Sequence, residues 1–580
     1  MPEASLPRWD LSPLYDSTED DRFLADWAVL ERRIDALAQA LERRRVGQAD
    51  AETGAEAFHD VVGALNAVHE AALPLRAYVH LRQATDASDR AAAARISELE
   101  GLLLRVDRWM PRVVAWWGGF EPGSWAGEYA LLLREARVRA THQMSEGEET
   151  LAAELALPGE RAWVRLYGNV SSRIAVRFEG EERPIAALRN LAYDPDEARR
   201  KAAYEAELAA WRAHADEIAA SLNGVKGARI VLNRRRGWAD ALEPTLHERR
   251  VTRTALAAMQ RAVEASLPVW RRYFQAKARR LGKARLDWWD LFAPVAEERR
   301  RWGWEEARAF IVDHLRTFSP AAADLADRAF RERWIDAEPR SGKRGGAFCM
   351  QVGDGASRIL ANYTPSFDAV STLAHELGHA YHNLRLAGRP PLLRRTPMTL
   401  AETASIMNET VVTRAALAEA EGDDAVLILD TWLTGAAQVV VDIHARFLFE
   451  SWVFERRTGR ELAPEEFSEL MVQAQERTYG EALATRHPYM WAVKPHYYGS
   501  DFYNYPYTFG LLFGLGLYRA YRDDPAGFGE RYDALLADTG VEDAAALASR
   551  FGFDLEDEAF WAGGLELLAE DVVRFERDAG

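Results

Sequence analysis

From Phe23 onward the apolar residues Phe23, Trp27, Leu30, Ile34, Leu37 and Leu41 recur at steps of three and four, the spacing that lines side chains along one face of an α-helix. A stripe of this kind has to be buried, so it commits the chain to helices packed on other elements. Ser17 and Asp20 stand where N-caps belong. The spacing returns in Tyr204, Leu208, Trp211, Ala215, Ile218 and Leu222, within a run opened by Asp194 and Pro195 and free of proline to Glu243. Most of the first 330 residues reads in the same way, and no fixed-period repeat is present. The expectation is a mainly α fold.

Between Gly342 and Tyr363 the pattern changes. GGAFCMQV and SRILANY flank Gly353, Asp354 and Gly355, which predicts two strands joined by a glycine-rich turn and hence a small antiparallel sheet. After Pro397 no proline occurs until Pro464, which suits further long helices. A loose cut near residue 190 separates a helical N-terminal part, 1–190, from a larger part, 191–580, that carries the chemistry. No Gly/Ser- or Pro-rich linker marks that cut, so the two parts are expected to pack as one body.

Several function classes are disfavoured by composition. Hydrophobic residues make up 48% of the chain and charged residues 28%, enough for a large core and a wet surface, which excludes disorder as the global state. Lys and Arg number 73 against 90 Asp and Glu, a formal charge of −17, whereas a chain held on phosphates needs clustered positive charge. The triplets Arg43–Arg45 and Arg234–Arg236 read as solvated helix faces. No nucleic-acid partner is expected. Met1 to Asp20 lacks the basic start and apolar stretch of a secretory signal, and Arg, Glu and Asp are read as interrupting every segment long enough to span a membrane. Cys349 is the only cysteine, so neither an intramolecular disulfide nor a cysteine-built metal site can form. A cytoplasmic setting is the resulting expectation, with no membrane and no obligate protein partner.

The chemistry concentrates in residues 371–382, STLAHELGHAYH, where His375, Glu376 and His379 follow the order H-E-x-x-H. On a helix, residues four apart lie one turn above each other, so both imidazoles face the same side and can share one ion. Val370, Leu373, Leu377 and Tyr381 fall on the opposite side, which gives the helix a face to bury. Glu376 lies about a quarter turn from the pair, where a general base can take a proton from water without occupying the metal. The competing account is two ordinary hydrogen-bonded histidines. His382 lies toward the same side, but the longer H-E-x-x-H-x-x-G-x-x-H pattern fails, since His382 stands where its glycine belongs and Arg385 where its third histidine belongs. His382 therefore reads as a supporting or structural residue.

A catalytic zinc needs a third protein ligand and an open position. The candidate is Glu402 in TLAETASIMNE; the alternative is that Thr399 and Glu402 form a capping box, T-x-x-E. Capping leaves Ser405 and Glu409, on the same helical face, without explanation. Cys349 reads as a buried structural cysteine, and, His496 aside, the nine histidines outside these motifs lack ligand spacing.

The combination of HELGH, ETAS with Glu409, and the late segment PHYYGSDFYNYPYTFG closely resembles the oligoendopeptidase F and thimet oligopeptidase family of zinc metallopeptidases. The likeness extends to RWDLSPLY, DPDEARRKAAYEA and GKRGGAFC, and is strongest from residue 340 to 510. The resemblance implies that His375, His379 and Glu402 hold one Zn2+ per chain, that Glu376 is the base, and that Glu409 orients a ligand imidazole. It further implies two helical halves flanking a deep channel that admits oligopeptides, with the strand Gly345, Gly346, Ala347, Phe348 pairing with substrate backbone. Donors aimed at a developing oxyanion contribute about 3 kcal/mol each, and the resemblance draws them from His496 and one or two of Tyr503, Tyr505 and Tyr507; Tyr505 is read as packing. The expected activity is hydrolysis of internal bonds in short peptides. A metallocarboxypeptidase is the alternative of the same class, and a silent metal-binding helical scaffold the alternative of another; the presence of Glu376 speaks against the second.

Overall fold

The computed structural model describes residues 6–579 except Glu298 and Asp354. The centre of the turn expected over Gly353, Asp354 and Gly355 therefore lies outside the described residues, as do the first five residues of the N-terminal stretch. Helices dominate, with only two small sheets among the described residues. The chain divides into two compact units, each drawn from three segments: Met1–Gln143, Arg300–Ala415 and Leu517–Gly552 form the first, and Met144–Arg299, Ala416–Gly516 and Phe553–Gly580 the second. Residue 190 lies inside the second unit.

In the first unit the helices Asp21–Arg43, Ala55–Thr85 and Arg90–Gly118 pack on one another. Asp20 caps the first of them by accepting from the Arg22 N–H, and Phe23, Leu30, Ile34, Leu37 and Leu41 are all buried in a common core with Phe58, Leu65 and Trp117. The sheet of this unit is mixed. Phe348–Gly353 and Ala356–Leu360 pair antiparallel as expected, but a two-residue strand, Ile335–Asp336, runs parallel to the second of them on its other side. The order leaves Phe348–Gly353 at the sheet edge. Gly345, Gly346 and Ala347 precede this strand and do not belong to it: Gly346 has φ +76°, a left-handed bend, and the ladder begins only where Phe348 pairs with Leu360.

The second unit holds an antiparallel hairpin, Ala175–Phe178 with Glu181–Pro184, and a helical core around Trp211, Ile218, Leu222, Phe449, Phe467 and Trp491. The periodic run from Tyr204 to Leu222 forms two helices, Glu197–Ala213 and Ala215–Arg235, broken at His214 (φ −119°, ψ 15°). One continuous helical stretch, Gly422–Arg457, corrects the expectation that charges interrupt every apolar segment: it contains an 18-residue window of mean hydropathy 1.5. Of that window 67% is buried inside the protein, the behaviour of a core helix. Its charges are neutralised in place, as Asp430 accepts from Lys277 Nζ at 2.9 Å and Asp442 pairs with Arg446.

Candidate metal centre

The helix Phe367–Leu386 carries the H-E-x-x-H motif within the first unit. Ser366 caps it by accepting from the Ala369 N–H, and Val370, Leu373, Leu377 and Tyr381 are buried, the face that the spacing predicts. It packs on both antiparallel strands and on the helix Phe528–Asp538. The opposite side presents His375 and His379, whose side chains stay 27% and 26% exposed with ring centroids 4.9 Å apart.

Glu402 arrives from a different element. It ends the one-turn helix Met398–Ala401, and its carbonyl accepts the Ile406 N–H in the first turn of Thr403–Glu419. Its carboxylate does not merely close a helix start: Glu402 Oε2 lies 3.2 Å from His375 Nε2 and 3.4 Å from His379 Nε2. Two donors bonded to a tetrahedral ion at about 2.0–2.1 Å stand roughly 3.3 Å apart, so this spacing suits a shared ion. All three ligand atoms lie within 4.8 Å of one another. Two nitrogens and one carboxylate, with part of each imidazole open to solvent, make a donor set that could hold a metal ion and leave a position free.

Backbone contact brings the two helices this close. A Cβ on Gly378 would stand 2.4 Å from the Ala404 carbonyl oxygen and 2.5 Å from Ser405 Cα, so the motif helix rests directly on the turn after Glu402. Around this contact the carboxylates are fixed by hydrogen bonds. Ser405 Oγ donates to Glu402 Oε2 at 2.7 Å. Glu409 Oε2 lies 3.0 Å from His375 Nδ1, and Ser371 Oγ donates to Glu409 Oε1 at 3.3 Å. Sequence reasoning missed Ser371 and Gly378 as site-forming residues; the signal for Ser371 was its position four residues before His375, on the same helical face. His382 is buried, with Nε2 2.9 Å from Thr539 Oγ1 and hydrogen bonds to the backbone of Leu536 and Ala401, the residue before Glu402. Burial and the nearby His379 bring its imidazole down to about 4, so it stays neutral.

The charges of the site follow from these neighbours. Burial alone raises the Glu402 carboxyl, yet hydrogen bonds and attraction from His375 and His379 hold it far below the usual range. His375 is driven the other way, since Glu402 and Glu409 outweigh its burial and strengthen it as a base. Glu376 is 7% exposed, and its Oε2 has no hydrogen-bond partner among the described residues. Burial pushes its carboxyl upward against the pull of the two histidines. An unpartnered carboxylate oxygen with raised affinity for a proton has the properties of a general base. Burial and the charge of Glu376 push the Cys349 thiol up as well, which keeps it protonated and unreactive.

The loop Gly345–Ala347 is anchored from beneath. Lys343 Nζ, fully buried, donates to Asp336 Oδ1 at 2.8 Å and to the Ala361 carbonyl at 2.6 Å, while Asn362 Nδ2 donates to the carbonyls of Arg344 and Gly346 at 3.1 and 3.0 Å.

His496, Tyr503 and Tyr507 belong to the second unit. The rings of His496 and Tyr503 stack at 4.8 Å, and Tyr507 meets Tyr503 edge-on at 5.7 Å. Tyr505 is fully buried and donates to the Thr245 carbonyl at 3.3 Å. This segment is braced by buried charge: Lys226 Nζ bridges Glu450 at 2.6 Å and Asp501 at 2.8 Å, and Arg249 donates to the carbonyls of Asp501 and Phe502, both at 2.8 Å. The bracing holds Phe502 at φ +48°, a left-handed conformation unusual for an aromatic residue.

A family model described as peptidase family M3 matches residues 190–567, and one described as oligopeptidase F matches residues 124–175. An oligoendopeptidase F homolog of Lactococcus lactis subsp. lactis is 24% identical over 383 residues, which cover 65% of this chain and 64% of that protein. Group B oligopeptidase PepB of Streptococcus agalactiae is 26% identical over 385 residues, 64% of this chain and 63% of its own length. The matches thus span slightly under two thirds of these relatives. Among solved structures, a candidate peptidase from Chlamydophila abortus superposes with a TM-score of 0.80 at 20% identity, covering 97% of this chain and 98% of its own. Oligoendopeptidase-F from Enterococcus faecium gives a TM-score of 0.70 at 17% identity over 95% and 99% of the two chains.

Proposed function

The chain belongs to peptidase family M3, and on that premise we propose that it is a zinc-dependent oligoendopeptidase that hydrolyses internal bonds of short peptides. The observation that carries this reading is the meeting of His375, His379 and Glu402 beside the unpartnered Glu376 carboxylate. His375, His379 and Glu402 would hold one zinc ion, with Glu409 fixing the His375 ring through Nδ1. When bound, zinc supplies Lewis acidity that polarises a carbonyl and acidifies water. Glu376 takes a proton from the attacking water and delivers it to the leaving amine, a transfer that suits a carboxylate of raised basicity. Edge strand Phe348–Gly353 offers its free side to an extended peptide backbone, and the exposed glycines Gly345 and Gly346 leave room for close approach. The roles of His496, Tyr503 and Tyr507 as oxyanion donors rest on the family resemblance. A single unpaired cysteine accords with a cytoplasmic setting.

The test combines metal analysis with quenched fluorescent peptides of graded length and mass spectrometry of the products, which separates internal from terminal cleavage. Glu376→Gln is expected to keep its metal and lose about 10²–10⁴ in kcat. Undiminished turnover in that variant would remove the base, and full metal content in His379→Ala would remove the ligand set.

A further inference from the structure

The edge strand that the peptidase reading gives to substrate has two faces, and only one of them looks toward the motif helix. Cys349 is on that face, with its Sγ 3.8 Å from Asn383 Nδ2. Side chains alternate along a strand, so Phe348 and Met350 point the other way, where both pack against Ala77, Leu81 and Ala84 of the helix Ala55–Thr85. Beside that packing the second face borders a cavity of about 460 Å³, wholly within the first unit. His80 and Gln83 form one wall, and Phe348, Met350 and Arg344 the other. The size is that of pockets which enclose a small ligand or a side chain.

Among the described residues the lining carries cations and no carboxylate, in a chain where Asp and Glu outnumber Lys and Arg by 90 to 73. One of those cations, Lys343, is already paired with Asp336 and the Ala361 carbonyl. Burial and Arg76 hold the His80 imidazole below its ordinary value against Glu100, so His80 is a neutral polar group at neutral pH. Arg344 differs from both: it is exposed, and its guanidinium has no hydrogen bond or ion pair among the described residues. Its position is nevertheless fixed. The Arg344 N–H donates to the Ala84 carbonyl at 2.8 Å, Asn362 Nδ2 donates to the Arg344 carbonyl at 3.1 Å, and the guanidinium lies over the Phe348 ring at 5.5 Å. A planar cation held in this way beside an apolar wall is arranged to receive a carboxylate through two parallel hydrogen bonds.

We propose that this cavity takes the side chain of a glutamate or aspartate in the bound peptide, and that Arg344 is the residue that selects it. The inference rests on the oligopeptidase reading of the edge strand. A peptide added to that edge obeys the same alternation, so the residues next to those facing the motif helix project toward the cavity. A terminal carboxylate continues in the plane of the sheet instead, which makes a side chain the source.

The test is a positional scan with the full-length chain. In an otherwise uncharged quenched peptide, capped at both ends, Glu replaces Gln at each position in turn; kcat/KM is measured, and mass spectrometry of the products aligns each position with the cleaved bond. At one position Glu is expected to exceed Gln by about tenfold, the range of a charge-assisted hydrogen bond. Arg344→Met should bring that ratio near unity, and Arg344→Glu should favour Lys over Gln at the same position. Equal cleavage throughout, a preference spread evenly over all positions as long-range attraction would give, or one that survives Arg344→Met overturns the proposal. The same peptides titrated against the Glu376→Gln chain by ligand-observed NMR read binding without turnover. Position-specific binding by a chain whose wild-type form cleaves nothing would remove the hydrolytic reading and leave the cavity assignment standing; cleavage without any preference would do the reverse.

Discussion

Gly378→Ala sets local propensity against tertiary contact. In an isolated helix the change stabilises by about 1 kcal/mol, because alanine loses less backbone entropy than glycine. Here the new methyl would lie 2.4 Å from the Ala404 carbonyl oxygen, where ordinary contact begins at 3.4 Å, a deficit of 1.0 Å. The opposing atoms are backbone, so no rotamer change can relieve the overlap; the turn after Glu402 and the motif helix must separate by a comparable distance. Overpacking of this kind costs about 1–3 kcal/mol, which cancels or exceeds the propensity gain. The larger consequence falls on the metal. Coordination tolerates only a few tenths of an ångström, and Glu402 Oε2 now stands 3.2 and 3.4 Å from the two imidazole nitrogens. A shift near 1 Å should lower metal affinity severely and activity by about 10²-fold. The variant is measured by metal content after dialysis against graded chelator, by kcat/KM on a quenched peptide, and by thermal midpoint in chelator. A chain that retains wild-type metal affinity and gains stability would refute the reasoning, since it would mean the helices separate freely without disturbing Glu402.

Three further outcomes follow from the same geometry. Glu409→Gln leaves Ser371 and the ring nitrogen with a neutral acceptor, and metal affinity in competition with a chromophoric chelator should fall about 10–100-fold while the fold is kept. His382, neutral and buried with its imidazole at about 4 against an ordinary 6.5, favours folding fully above 6.5; the unfolded chain gains a proton as pH falls below that value and the folded chain does not until about 4. Stability should therefore drop between those two pH values, and denaturant titrations of His382→Asn should show a shallower loss across the window. Asp336→Asn strands Lys343, whose side chain is 0% exposed, and should cost about 3–5 kcal/mol in urea unfolding; Asp336 is held below its ordinary range by Arg340 and Lys343 against its burial, so its contribution is present above about 3.8 and fades as pH falls further.

The parts of the site that lie within one turn of a helix were legible in the sequence, and the parts made by remote backbone were not. His375, His379 and the buried face Val370, Leu373, Leu377 and Tyr381 follow from one period, because a helix fixes the direction of each side chain relative to its neighbours. Glu402 could be proposed but not separated from a cap, since both roles want a glutamate near a helix start; only its approach to two imidazoles distinguishes them. The break at His214 left the apolar spacing intact, so periodicity joined two helices that the structure separates. In Gly422–Arg457 the charges Asp430 and Asp442 looked like interruptions, yet Lys277 and Arg446 neutralise them within the core, and pairing across elements has no local signature. Gly346 was read as part of a strand because glycine is compatible with extended backbone; its left-handed φ ends that possibility.

The packing around Glu402 bears on the function. The proposed metal ligands come from the motif helix and the turn at Glu402, and what sets the distance between them is a glycine without a Cβ, a serine hydroxyl on the Glu402 carboxylate, and a buried neutral histidine bonded to the backbone just before it. None of the three needs to touch the ion or a substrate. Each instead removes freedom from Glu402: Gly378 fixes how near its segment can come, Ser405 fixes the carboxylate, and His382 ties Ala401 to the motif helix. A carboxylate placed this way keeps its position whether or not a cation stands between it and the imidazoles, so the ordering entropy is charged to folding and not to metal capture. The expected signature is that changes at Gly378 and His382 alter metal affinity more than they alter the turnover of the fully loaded enzyme, whereas changes at Glu376 do the reverse.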